Sequence, residues 1–109
     1  MAQVTTWTNL DLPDLAQFMK SIIADSTGRQ EALIVSTVNK LDAFKFGIYE
    51  TGIFVQIGYV GTADTYRTSK VLQFIVQKLY QKYNVNKLSI YVTYNEVSRT
   101  DISINGQLM

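Results

Sequence analysis

The sequence has no cysteine and no histidine. Those two absences exclude disulfide scaffolds, Cys/His zinc sites, Cys–His and Ser–His nucleophile systems and histidine pH switches. There is one proline, Pro13, so most chain reversals must come from glycine and asparagine. Charge is scarce as well. Charged residues make up 17% of the chain, and ten Lys+Arg against nine Asp+Glu leave a net charge of +1. So small a balance creates no field that would gather nucleic acid, an anionic membrane or an acidic partner. No apolar run approaches the roughly 18–20 residues of a membrane span. The start, Met1-Ala2-Gln3-Val4-Thr5-Thr6-Trp7, lacks the basic and apolar blocks of a signal peptide. The expectation is a soluble, cytoplasmic protein without membrane contact, or one held in a virion or host cell if virus-encoded.

What is present is apolar and uncharged-polar. Hydrophobic residues make up 47% of the 109, and there are seven tyrosines. A chain of this length fits one domain, 1–109, and buries enough surface to fold without a staple. Residues 1–9 read as an arm or lid and 106–109 as a tail.

From Asp11 to Ser26, Leu12, Leu15, Phe18, Met19, Ile22 and Ile23 recur at three- and four-residue spacing, the signature of one helical face. Asp11 is placed to cap it, Pro13 fits its first turn, and Gly28 supplies a left-handed stop. Three segments with strand chemistry follow: Glu31 to Lys40, Phe44 to Glu50 and Ile53 to Val60. The last two alternate apolar and polar and flank Glu50-Thr51-Gly52, which reads as a hairpin turn. A second helix is expected from Thr65 to Tyr83, with Val71, Leu72, Ile75, Val76 and Leu79 as its stripe. Lys87 to Tyr94 reads as a strand, and Ile102 and Ile104 as a short edge strand. Strands that run together rather than alternate with helices predict an α+β two-layer sandwich. Its sheet is expected to be mostly antiparallel, of four to five strands with two helices on one face, in the order α-β-β-β-α-β-β.

Candidate chemistry is thin. Without His or Cys, catalysis falls to carboxylates, lysine, hydroxyls or tyrosines. The acids Asp11, Asp14, Asp25, Asp42, Glu50 and Glu96 sit mostly at caps and turns, which accounts for them. No metal and no cofactor is expected. The segment Gly58 to Lys70 runs from strand to helix with two glycines, but it has neither phosphate-loop spacing, and Asp64 would repel a phosphate there.

The reading that follows is a non-enzymatic interaction or assembly module that binds itself, and secondarily another protein. Its interface candidates are Ile34, Val38, Tyr49, Phe54 and Tyr91 on an apolar sheet face, with Ile102 and Ile104 on a free edge. Such a compact module would suit a virus- or mobile-element-encoded accessory protein. The alternative reading is a nucleic-acid binder that stacks bases on Tyr49, Phe54 and Tyr91, with Lys45, Arg67, Lys70 and Lys87 as flanking cations.

Overall fold

A computed structural model describes residues 2–60, 65–97, 103–104 and 107–108, with side chains described for 2–59 and 69–96. Its first element is a strand, β1 (Ala2–Thr8), where an arm or lid was expected. Ala2, Val4, Thr6 and Thr8 point into the core, while Gln3, Thr5 and Trp7 point out. The inward threonines hide the alternation from a hydrophobicity scan, because only Ala2 and Val4 look like core residues.

Helix α1 (Leu15–Thr27) buries Leu15, Met19, Ile22 and Ile23. It starts later than the expected Asp11, with Asp14 in the cap position, and Asp14 makes no side-chain bond to the helix amides. The stop is as expected: Gly28 is left-handed at φ 71° and its N–H donates to the Ala24 carbonyl. A 3₁₀ turn, Glu31–Leu33, leads into β2 (Ile34–Lys40). Strand β3 (Ile53–Val60) is followed by α2 (Thr65–Tyr83), whose Val71, Ile75 and Leu79 are buried. A second 3₁₀ turn, Lys87–Ser89, opens β4 (Ile90–Val97). The residues β5 (Ser103–Ile104), on the stretch expected as a short edge strand, and β6 (Gln107–Leu108), within the expected tail, pair antiparallel in a ladder of their own. Ile102 lies outside the described residues, as do the side chains of Ile104 and Arg67.

The four long strands are ordered β2-β1-β3-β4. β1 is parallel to β2, β3 is parallel to β4, and the central pair β1/β3 is antiparallel. The sheet is therefore mixed rather than mostly antiparallel. The cause is that each helix connects two parallel neighbours, as a crossover must. The chain is thus two β-α-β halves back to back. In each, a helix, a left-handed stop (Gly28 or Asn84), a 3₁₀ turn and an isoleucine-led strand follow one another. No sequence period announces this repeat.

Both helices cover one sheet face, as expected, and the core cluster lies between them and Val4, Val55, Ile57 and Ile90. The segment 44–50 is not a strand. Phe46 and Tyr49 close a tight turn on each other's backbone with Gly47 at φ 60°, and Ile48 is 84% exposed. This excursion is tied to the end of β1. Thr8 Oγ1 donates to the Gly52 carbonyl (2.8 Å), Gly52 N–H donates to Asn9 Oδ1 (3.2 Å), and Asn9 Nδ2 donates to the Glu50 carbonyl (2.8 Å).

Candidate functional site

The sheet has an uncovered face, and its chemistry is uniform. Trp7, Phe54 and Tyr91 form a line of rings across β1, β3 and β4, with centroids 5.2 Å and 5.3 Å apart, and Phe46 continues it at 5.6 Å from Tyr91. The other described outward positions are Thr, Gln, Asn, Val or Gly, so no charge stands on this face.

Only part of the expected interface lies there. Phe54 and Tyr91 do. Ile34 is 4% exposed in the core, and Val38 shares its strand parity with Ile34 and with Ser36, whose hydroxyl donates to the Ala16 carbonyl of α1. Both belong to the helix-covered face, because β2 pairs with β1 in the register Ala2–Ile34. Tyr49 sits in the turn before Gly52 and accepts a hydrogen bond from Asn86 Nδ2 at 3.3 Å. The expected cations do not gather around the rings. Lys45 pairs with Glu50 at 3.4 Å, Lys70 is exposed on α2, and Lys87 is held by Gln77 and lies over the Tyr80 ring.

A polar cluster forms elsewhere, at the end of the sheet where β1 starts and β3 and β4 finish. Gly28 ends α1, and Arg29 follows it directly. The guanidinium reaches Tyr59, near the end of β3 and opposite Ala2 of β1, and donates from Nε (3.1 Å) and Nη2 (2.9 Å) to the phenol oxygen. Its Cζ also lies 4.7 Å from the Tyr59 ring centroid, a cation–π contact. Tyr94 of β4 completes the group with its ring 6.1 Å from that of Tyr59. All three side chains are half-buried. A phenol oxygen that accepts from a guanidinium must direct its own O–H away from it, so the pair presents a cation and an oriented hydroxyl together.

Sequence reasoning missed Arg29 and Tyr59. An arginine just after a helix stop looks like a capping or surface residue, and Tyr59 looks like one more inward side chain of β3. Only the crossover β-α-β topology brings position 29 to position 59.

No known protein family and no curated protein matches the chain by sequence. Solved structures do match it by shape. A macrophage migration inhibitory factor homologue from Prochlorococcus marinus superposes with a TM-score of 0.83 at 18% identity, covering 97% of each chain. Pt0534, solved after inactivation by 2-oxo-3-pentynoate, gives 0.83 at 10% identity over 97% of this chain and 94% of that one. N1, a member of the cis-3-chloroacrylic acid dehalogenase family, gives 0.80 at 15% identity over 98% and 82%. The chain has the fold of these proteins. They overturn the expectation of a non-enzymatic assembly or nucleic-acid module, because the neighbours of this fold include a dehalogenase-family member and a protein captured with an inactivator. Carboxylates, lysine, hydroxyls and tyrosines are the catalytic groups that the sequence suggests, and an arginine–tyrosine pair is not among them. Among the described residues, no helix is long and apolar enough to cross a membrane.

Proposed function

We propose that the chain is an enzyme acting on a small unsaturated carboxylic acid bound at the head of β1. The observation that carries this reading is the Arg29–Tyr59 pair, in which two guanidinium N–H groups fix one phenol oxygen. Two of the structural neighbours support the substrate class. The compound that inactivated Pt0534 and the one that gives N1's family its name are both short carboxylic acids with a carbon–carbon multiple bond. Arg29 is the carboxylate anchor, since a guanidinium matches a carboxylate in charge and in planar geometry. Tyr59 is the hydrogen-bond or proton donor to the polarised end of the substrate, and Tyr94 forms the wall beside it. The half-buried setting strengthens both interactions relative to water.

The test is to incubate the full chain with 2-oxo-3-pentynoate and with cis-3-chloroacrylate. Adduct mass and product formation are then followed for the parent, Arg29→Ala and Tyr59→Phe. Modification or turnover by the parent, with a loss of about tenfold or more in Arg29→Ala, supports the reading. A parent inert toward both acids, or an Arg29→Ala variant as active as the parent, sinks it.

Self-association belongs to the same proposal as a property of the enzyme. What supports it is the uncharged sheet face around Trp7 and Phe54, which loses little hydration when covered. Light scattering on the parent and on Phe54→Lys tests it, with a fall in mass for the variant as the expected result.

A further inference from the structure

The opposite end of the sheet holds a concavity. It is a groove of about 610 Å³ between α2 and the start of β4, the outermost strand of the four-stranded sheet. Leu72 and Val76 of α2 form one wall, and Phe46 and Tyr91 form the other. Phe46 and Tyr91 meet edge-to-face at 5.6 Å, so that wall is a pair of locked rings. Both are nonetheless more than 40% exposed, at 42% and 46%, so the rings have apolar surface left to cover.

The polar side chains of the lining are Gln73, Gln77, Lys87 and the Tyr91 phenol. Lys87 is the single ionisable group among the lining residues with a charge at neutral pH, and no acid lines the groove. Lys87 Nζ donates to Gln77 Oε1 and stands 5.0 Å from the Tyr80 ring centroid. Because Gln77 uses its oxygen on the lysine, its amide NH₂ remains the donor end. The rim therefore offers an ammonium and an amide N–H side by side, and the nearby wall is apolar. The volume lies within the usual range for small-molecule sites, about 300–1,000 Å³.

We propose that this groove binds a small amphipathic carboxylate, with an aromatic or branched body against Tyr91, Phe46, Leu72 and Val76 and its anionic head on Lys87 and Gln77. The site is separate from the Arg29–Tyr59 cluster and does not depend on it. β1 and β3 run between the two, with Ala2 opposite Tyr59 at one end and Thr8 opposite Ile53 at the other. The occupant follows from charge complementarity. A cation with no acid among its lining neighbours disfavours a cationic ligand, and a purely apolar one would leave the ammonium less well solvated.

Calorimetric titration of the full chain with naphthalene-1-acetate and with its neutral isostere naphthalene-1-acetamide tests the assignment. The acid is expected to bind saturably and the amide about tenfold more weakly, since one charge-assisted hydrogen bond is at stake. Lys87→Gln, a substitution at an exposed position whose folding is checked by its melting curve, should bring the acid down to the affinity of the amide. Tyr91→Ala should weaken both compounds, and Arg29→Ala neither. Absence of saturable heat, equal binding of acid and amide, or acid binding that survives Lys87→Gln would overturn the proposal. So would loss of binding in Arg29→Ala, which would place the ligand at the other end of the sheet.

Discussion

Gly52 is the position where a single methyl group should do the most damage. Its backbone is buried at the junction of β1, the 44–50 turn and the start of β4. A Cβ built there falls on the Ser89 carbonyl oxygen, and it lies 2.5 and 2.6 Å from Cε1 and Cζ of the Phe44 ring. The ring can swing aside. The carbonyl cannot, because Ser89 is 2% exposed and its N–H and hydroxyl both donate to the Asn86 carbonyl. Relief requires β4 or the Gly52 backbone to retreat by about 1 Å, which strains the node of Thr8, Asn9 and Gly52 hydrogen bonds. Overpacking of this kind costs about 1–3 kcal/mol, and one weakened buried hydrogen bond adds about 1 kcal/mol. Gly52→Ala should therefore lose about 3 kcal/mol. At this chain length that corresponds to a fall in melting temperature of more than about 10 °C. Two other glycines are internal controls. Gly47 has φ 60° but nothing within 4 Å of its Cβ, so Gly47→Ala should cost only the left-handed penalty, about 1 kcal/mol. At Gly58 the three atoms nearest a Cβ all belong to the Gln3 side chain, the closest at 2.7 Å, and that exposed side chain can move on the open face. Gly58→Ala should stay within about 0.5 kcal/mol of the parent. Urea unfolding of the three variants, followed by circular dichroism, should rank Gly52 worst, then Gly47, then Gly58. A Gly52→Ala variant as stable as Gly58→Ala would show that the junction is looser than its contacts imply.

Two inward threonines of β1 should respond in opposite directions to one substitution. Thr8 Oγ1 donates to the Gly52 carbonyl and accepts from Leu10 N–H, so Thr8→Val should cost about 1–3 kcal/mol in urea unfolding. Thr6 Oγ1 is buried with no hydrogen-bond partner among the described residues, so Thr6→Val should be neutral or stabilising by up to about 1 kcal/mol. The Asp14–Tyr83–Lys82 group gives a pH signature. Hydrogen bonds from Tyr83 and then Lys82 hold the Asp14 carboxyl below its ordinary range, and burial followed by the Asp14 bond pushes the Tyr83 phenol above its own. Asp14 therefore contributes stability above the unfolded carboxylate value of about 3.9 and loses it as pH falls through the lower folded value. Tyr83 contributes below about pH 10 and loses its share as pH rises through its higher folded value. Melting curves of Asp14→Asn should lie below the parent near pH 7 and converge with it in acid, and Tyr83→Phe should converge with the parent only in strong alkali.

Both helices and the strands after them were legible, because their apolar stripes and branched runs are bounded by glycine and asparagine. The sheet was not. β1 places Thr6 and Thr8 in the core, and an inward hydroxyl is indistinguishable from an outward one in a hydrophobicity pattern. Without β1 the parallel partner of β2 is missing, and the nearest candidate becomes Phe44 to Glu50, whose alternation of Phe44, Phe46 and Ile48 imitates a strand. Gly47 carried the signal that this stretch turns. An antiparallel hairpin was then inferred where the chain passes from β2 to β3 around the end of β1, the strand that lies between them. The same omission moved Ile34 and Val38 to the wrong face, since a strand's orientation follows from its register with the neighbour. Phe54 and Tyr91 were placed correctly because their own alternation was intact. The Arg29–Tyr59 pair was illegible for a different reason: its members lie on separate elements, and only the sheet order makes them neighbours.

The two-half architecture bears on how the two ends of the sheet can influence each other. β1 and β3 run antiparallel, so one half places Arg29, just past its helix, at one end of the sheet and the other delivers Lys87 at the opposite end. Strands of seven and eight residues separate the clusters by roughly 20 Å. No side chain is shared between the Arg29–Tyr59–Tyr94 group and the groove at Lys87. Groups that far apart and without common partners perturb stability independently, so substitutions at Arg29 and Lys87 should add. Coupling between them would have to pass through the central β1/β3 ladder, whose inward residues are almost fully buried and closely packed. A non-additive double variant would therefore mean that the ladder itself shifts, with Gly52, at the meeting point of β1, the 44–50 turn and β4, as the place where that movement would be felt first.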